Sequence, residues 1–458
     1  MNLYDTEVAE GLLEHRGFEI VNDAMDSGPY AVDVKVNADV FLMNTCSVRE
    51  HAEERVFGRM GMLGVAKRTN PDLIVGMMGC MVEEHREKLF RRFPQLDLMV
   101  GTRNIKELPG LIEEVRQNRR QVAKIKQDGI SIEYTDQILR KGKYHAWLPI
   151  MTGCNKVCTF CIVPITRGSE VSMQAREVYR EASRLVSEGV KWITLLGQNV
   201  NSYDGNPHPN PLPEGEGANS LAPLAGRGQG EGRINFPELL DMLCEIEGLE
   251  RISFTTSHPS DATEELYRVI AKNPKISRRF HLPLQSGADS VLKRMKRLHT
   301  YAEFREKIRL MRAMIPDISV TSDIIAGFSG ETAEDHHKTC EALQELRFDS
   351  AFIYKYSVRP GTPASKLPDD VPINVKEQRN AELLDIQRQI TTESDQRLIG
   401  RTVEVFVEDT NARNPLQLYG RTQDEKRIVF EGETALLGRF QKIQIGQLKR
   451  ETLLGSLI

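Results

Sequence analysis

Gly153-Cys154-Asn155-Lys156-Val157-Cys158-Thr159-Phe160-Cys161 sets three thiols within eight residues, with an aromatic side chain directly before the third. The count of three is what decides. A structural zinc ion normally closes a tetrahedron with four ligands, often from paired Cys-x-x-Cys units, and no companion pair lies nearby. A 4Fe-4S cluster held by three cysteines leaves one iron without a protein ligand, open to a small molecule. The stretch follows the apolar run AWLPIMT at 146–152, and similar runs recur at 192–196 (WITLL), 251–256 (RISFTT), 279–284 (RFHLPL), 319–326 (SVTSDIIA) and 350–356 (SAFIYKY). Six β/α units are therefore expected between residues 140 and 390. The runs end in GCN, GQN, SHP, QSG, GFSGE and SVRPGT, and such strand ends are where a β/α barrel gathers its active site.

On the amino side, residues 1–117 alternate helical stretches with apolar runs at 18–21 (FEIV), 38–46 (ADVFLMNTC), 73–80 (LIVGMMGC) and 96–102 (LDLMVGT). That rhythm predicts a doubly wound α/β domain with a parallel sheet. Cys46 and Cys80 each stand where a run ends, so both are expected to face the crevice at the carboxyl ends of the strands. On the carboxyl side, residues 393–458 shift to short alternating runs, TVEVFV, RIVFEG and QKIQI, which predict a small all-β barrel. Residues 206–233 hold five prolines and six glycines in 28 positions and are expected to be a disordered insertion without chemistry of its own.

A chain of 458 residues with 40% hydrophobic and 28% charged residues suits a multi-domain globular protein, and it has no apolar run long enough to span a bilayer. The opening MNLYDTEVAEGLLEHRG is acidic and amphipathic, unlike a signal or transit peptide, so a cytoplasmic location without membrane contact is expected. In a reduced compartment seven unevenly placed cysteines favour metal ligation over disulfides. The net charge of −4 excludes neither nucleic acid nor its absence, and residues 393–458 carry ten basic and ten acidic side chains, so no net basic footprint marks them.

The C-x-x-x-C-x-aromatic-C spacing after the first strand of a six-unit β/α domain resembles the radical SAM superfamily. The whole chain resembles its methylthiotransferases, through MNLYDTE (1–7), NTCSVRE (44–50), GC (79–80), GCNKVCTFCIVPITRG (153–168), LLGQNVNSY (195–203), TTSHP (255–259), HLPLQSG (281–287), DIIAGFSGET (323–332) and YSVRPGTPA (356–364). The C-terminal barrel resembles TRAM, a domain this family uses to hold RNA. NTCSVRE and LLGQNVNSY look most like the branch that adds a methylthio group to C2 of N(6)-isopentenyladenosine beside the tRNA anticodon. The relatives that act on threonylcarbamoyladenosine in tRNA or on a ribosomal protein aspartate show other residues after NTC. A truncated noncatalytic iron-sulfur RNA-binding remnant is the third reading.

The resemblance implies two 4Fe-4S clusters and two S-adenosylmethionine molecules. One of these is expected to bind the open iron of the Cys154, Cys158, Cys161 cluster, where a single electron splits its sulfonium to a 5′-deoxyadenosyl radical. Gln198, Asn199, Ser257, Gln285 and Asp323 fall where cofactor or substrate would be contacted. Gln198, Ser257 and Asp323 could equally cap helices. No catalytic side chain is assigned beyond the clusters. An auxiliary cluster would sit on Cys46, Cys80 and a third cysteine of the family pattern, which would stand two residues before Met1, together with a first strand. Cys244 and Cys340 lie in helical stretches and read as small apolar residues. The expected partners are tRNA, S-adenosylmethionine and an electron donor, with the chain acting as a monomer. The basic run Lys293, Arg294, Lys296, Arg297 reads as a solvated helix face, or as a surface that meets phosphates.

Overall fold

The computed structural model describes residues 1–21, 25–26, 35–47, 50–125, 134–205, 233–411 and 414–458. The Pro- and Gly-rich segment expected to be disordered lies outside the described residues, apart from Arg233.

The N-terminal sheet runs β1 (Val40–Thr45), β2 (Ile74–Gly79), β3 (Leu98–Val100) and β4 (Val122–Lys124), parallel and in sequence order. Strand β2 is buried along its whole length, as a central strand covered on both faces must be. Period-two alternation divides its side chains: Ile74 and Met78 join Val8 and Leu12 of α1 (Asn2–Glu14), while Val75 and Met77 join Met60 and Leu63 of α2 (Glu50–Thr69). The run at 18–21 pairs with no described strand, contrary to expectation, and the short β4 does instead. Phe18 and Ile20 still pack on the domain core. With Ala9, Leu13, Val40 and Leu42 they line a cavity of about 900 Å³ along the outer edge of β1.

The central domain has the six expected parallel strands: β5 (His145–Pro149), β6 (Trp192–Leu196), β7 (Arg251–Phe254), β8 (Arg279–His281), β9 (Ser319–Ala326) and β10 (Ser350–Lys355). They form two halves, ordered β7-β6-β5 and β8-β9-β10, joined by a parallel bridge between Ile252 and Ile276. The result is an open barrel whose strands turn Leu195, Phe254, Phe280 and Val320 towards the covering helices, Phe254 against Phe236 and Phe280 against Tyr267. Its helices start where the sequence supplies reciprocal caps. Asn235 with Glu238 opens α3 (Phe236–Cys244), Thr300 with Glu303 opens Tyr301–Met314, and Thr332 with Asp335 opens Ala333–Leu346.

Strands at Thr402–Asn411, Asn414–Arg421, Arg427–Glu431, Phe440–Lys449 and Thr452–Leu457 close the C-terminal barrel. This barrel docks at the amino ends of the central strands. Arg251, fully buried at the start of β7, donates to the carbonyls of Arg421 (3.0 Å) and Thr422 (2.9 Å) and lies over the rings of Trp192 and Phe440. The opposite, carboxyl end of the central barrel is left for the cysteine loop. Among the described residues no helix is long and apolar enough to cross a membrane.

Candidate functional site

The cysteine loop leaves the barrel through a left-handed turn at Gly153, whose φ is 77°. A Cβ there would lie 2.0 Å from the Ser169 carbonyl oxygen, so no other residue fits. Backbone bonds then fasten the loop on several sides: Cys154 N–H to Gly168 O (3.1 Å), Thr159 N–H to Met295 O (3.0 Å) and Ala364 N–H to Thr159 O (2.8 Å). Burial pushes the Cys154 thiol up and the Cys161 thiol up to about 12, so these sulfurs hold their protons until a cationic occupant displaces them. Three thiols and no fourth ligand nearby in sequence suit a polynuclear cluster with one open metal better than a single zinc ion, which closes its tetrahedron with four.

Around the loop stand the residues expected to contact a cofactor. Gln198 accepts a hydrogen bond from the Gly153 N–H and so braces the turn that starts the loop. Asn199 donates to Asp261 (2.6 Å) and Ser202 (3.0 Å). The Asn199 Oδ1, Ser257 Oγ and Gln285 Oε1 atoms are buried without a protein partner. All three residues follow the carboxyl ends of β6, β7 and β8, where such unpaired polar atoms are costly unless a ligand meets them. Thr256 and Gln285 hold φ of 69° and 75°, strained values for non-glycine residues that cluster at working sites. Asp323 lies within β9 rather than at its end, with its carboxylate 3.2 Å from His281 Nε2. None of Gln198, Ser257 and Asp323 makes a helix-capping hydrogen bond.

Cys46 and Cys80 lie close together in the N-terminal domain, beside the α-amine of Met1 and the guanidinium of Arg167. Gly79 sets the turn into Cys80 with φ 96°, and a Cβ there would meet Thr45 O at 2.5 Å. Burial raises the Cys80 thiol and lowers the Met1 amine. Arg167, just after the cysteine loop in sequence, crosses between domains to bond Asp5 Oδ2 (2.6 Å) and the Cys80 sulfur. Arg359 makes a second crossing to Glu53 (2.7 Å), and Thr102 Oγ1 donates to Thr166 O (3.2 Å). Three contacts thus join the N-terminal domain, which carries the cysteine pair, to the central domain, which carries the cysteine loop.

Comparison with known proteins agrees with this layout. Residues 148–343 match the radical SAM superfamily, residues 396–458 the TRAM domain and residues 1–101 an uncharacterised protein family, UPF0004. A tRNA-2-methylthio-N(6)-dimethylallyladenosine synthase of Dictyoglomus thermophilum is 38% identical over 460 residues, spanning 100% of this chain and 96% of the relative. Another, of Desulforamulus reducens, is 39% identical over 460 residues, spanning 100% of this chain and 93% of its own. The chain belongs to the radical SAM methylthiotransferases. A solved radical S-adenosylmethionine methyltransferase, TsrM of Kitasatospora setae, shares the fold with a TM-score of 0.51 at 15% identity, over 79% of this chain and 73% of that one.

In this methylthiotransferase the central loop fits a three-cysteine 4Fe-4S cluster by donor set, spacing and burial. When bound, such a cluster supplies one-electron chemistry that no side chain can. The N-terminal pair supplies two of the three thiols that the family resemblance implies, and Cys244 and Cys340 stand apart in barrel helices. Sequence reading assigned no role to Asp5 or Arg167. Arg294 and Arg297, read within a basic run as a solvated face or a surface that meets phosphates, instead turn inward: Arg294 donates to Ser329 O and Gly330 O, and Arg297 to the Cys158 sulfur. A run of basic letters carries no signal for which of them will be buried.

Proposed function

We propose that this enzyme adds a methylthio group to C2 of N(6)-isopentenyladenosine beside the anticodon of tRNA, using S-adenosylmethionine and clusters at both cysteine sites. The observation that carries the reading is the buried Arg167–Asp5 pair, which ties the radical-generating loop to the Cys46–Cys80 site 2.6 Å at a time, carboxylate to guanidinium. Sulfur insertion by a radical route needs a radical source and a sulfur source in fixed relation, and this coupling supports that need. Cys154, Cys158 and Cys161 hold the first cluster, while Asn199, Ser257 and Gln285 offer their unpaired oxygens to S-adenosylmethionine or the adenosine. Cys46 and Cys80 hold part of the second. The TRAM barrel supports tRNA as the macromolecular substrate. A low-potential electron donor is required, and the chain acts as a monomer in the cytoplasm.

The test is to digest tRNA from cells with and without the protein and to weigh the nucleosides. Appearance of the 2-methylthio derivative of isopentenyladenosine with the protein is the expected result. Unchanged isopentenyladenosine overturns the assignment, and a methylthio group on threonylcarbamoyladenosine would move it to the sister activity. S-adenosylmethionine cleavage by the purified chain without any methylthio product would instead match the noncatalytic remnant.

A further inference from the structure

We infer that Arg297 is a positioning residue for the radical cluster: its guanidinium, held against the Cys158 sulfur, supplies the fixed positive charge that makes this cluster easier to reduce. The inference rests on Cys154, Cys158 and Cys161 carrying a cluster and goes beyond it by naming what sets its redox poise. Arg297 follows a short helix, Asp289–Arg294, and the left-handed Lys296 (φ 51°) turns it into the protein, with its N–H bonded to Leu292 O at 2.9 Å. It is only 8% exposed. One terminal nitrogen donates to Cys158 Sγ at 3.3 Å and the other to Pro283 O at 2.9 Å, while Nε is buried without a partner. The cysteine loop is bound to the same turn, Thr159 bonding the carbonyls of Arg294 and Met295 at 3.0 Å each, so charge and sulfur move as one unit.

The missing counter-ion is the decisive observation. Arg167 and Arg359, equally buried, have carboxylate partners in Asp5 and Glu53, and Arg251 at the other end of the barrel is satisfied by the Arg421 and Thr422 carbonyls and by the rings of Trp192 and Phe440, whereas Arg297 faces thiols. Among the described residues Arg297 pairs with no carboxylate, and the side chains facing it are Cys158, Cys161, His258 and His299. A guanidinium does not give up its proton, and a buried charge without a partner is costly. A 4Fe-4S core of charge two plus on three thiolates carries net charge minus one, and minus two after it accepts one electron. That occupant is the counter-ion the geometry calls for, and the added electron is favoured by the adjacent positive charge and by hydrogen bonding to a ligand sulfur. The electron comes from a low-potential one-electron donor, and no bond is made or broken at Arg297.

The test uses the full chain reconstituted anaerobically in a Cys46→Ala/Cys80→Ala background, so that one cluster carries the signal. Reduction is titrated and followed by EPR. With Arg297→Met, iron should stay at about four per chain, and the equilibrium constant for reduction should fall at least about tenfold, equivalent to about 59 mV for one electron. Arg297→Lys should recover part of that fall. An Arg297→Met cluster that titrates like its parent overturns the inference and leaves the cluster assignment intact, whereas a parent chain without iron overturns both. A readout that needs no substitution at Arg297 is pulsed EPR of the reduced cluster with guanidino-¹⁵N arginine: an arginine nitrogen coupling is expected, and its absence overturns the inference even if Arg297→Met fails to hold iron.

Discussion

Cys154, Cys158 and Cys161 come from one loop of eight residues, whereas Cys46 and Cys80 come from the ends of two separate parallel strands. Both sites use the same local device, a positive-φ glycine directly before a cysteine, at Gly153 and Gly79. They differ in what completes them. The loop site carries three thiols on one short stretch of chain and has an arginine without a carboxylate partner against one sulfur. The strand-end site has two thiols, a buried amine and an arginine already paired with Asp5. One loop supplies every ligand of the first site, though residues as distant as Met295 and Ala364 fasten it, while the strand-end site exists only after a sheet and a domain interface have formed.

The largest expected effects separate the two sites by chemistry. Cys158→Ala should abolish both S-adenosylmethionine cleavage and methylthio transfer, with about four irons lost per chain. Cys80→Ala should abolish methylthio transfer alone and leave cleavage at the loop site within about twofold, a difference well under the 1.4 kcal/mol of a tenfold effect. Loss of cleavage in Cys80→Ala, measured as 5′-deoxyadenosine formed, would break the comparison by making the sites interdependent.

Next in size is the bridge between them. Arg167→Met leaves Asp5 buried without its partner, and breaking such a pair should cost about 3–5 kcal/mol in denaturant unfolding, while cysteine-loop iron is retained. A cost below about 1 kcal/mol would mean the bridge behaves as a surface pair. At the far end of the barrel, burial and then Arg421 push His145 down to about 4 from 6.5. A histidine with a depressed folded pKa brings no penalty above the unfolded value and destabilises as pH falls, so stability should drop by on the order of 3 kcal/mol between pH 6.5 and 4. His145→Asn should flatten that part of the pH–stability profile while leaving both cysteine sites untouched.

The smallest expected difference sharpens the comparison most. Alanine at Gly153 would press on the Ser169 carbonyl at 2.0 Å and alanine at Gly79 on the Thr45 carbonyl at 2.5 Å. The backbone strain alone is about 1–3 kcal/mol at either position. Gly153→Ala should be the worse of the two in thermal unfolding and should lower only the loop iron.

Much of this architecture is legible in the sequence. Strand β9 coincides with its expected run, residue for residue, and its alternation sends Val320 and Ile324 into the hydrophobic core while Thr321 and Asp323 meet His281. The run at 18–21 misled because two alternate apolar residues, Phe18 and Ile20, can line a core without finding a strand to pair with. Of the site residues, Asn199, Ser257 and Gln285 stand where strand ends were expected to put them. Asp323 does not, since its carboxylate meets His281 inside the sheet.

By itself the sequence determined the cysteine loop, the three-part organisation and the period of each sheet, because these depend on spacings of a few residues along one chain. Only the tertiary structure decided that Arg297 faces a sulfur while Lys293 does not donate to one, that Arg167 reaches Asp5 across a domain boundary, and that the TRAM barrel sits at the amino ends of the strands, away from the cysteines. Those choices depend on which charges find partners once water is excluded, and a burial free energy of that kind is a property of the packed whole rather than of any local stretch.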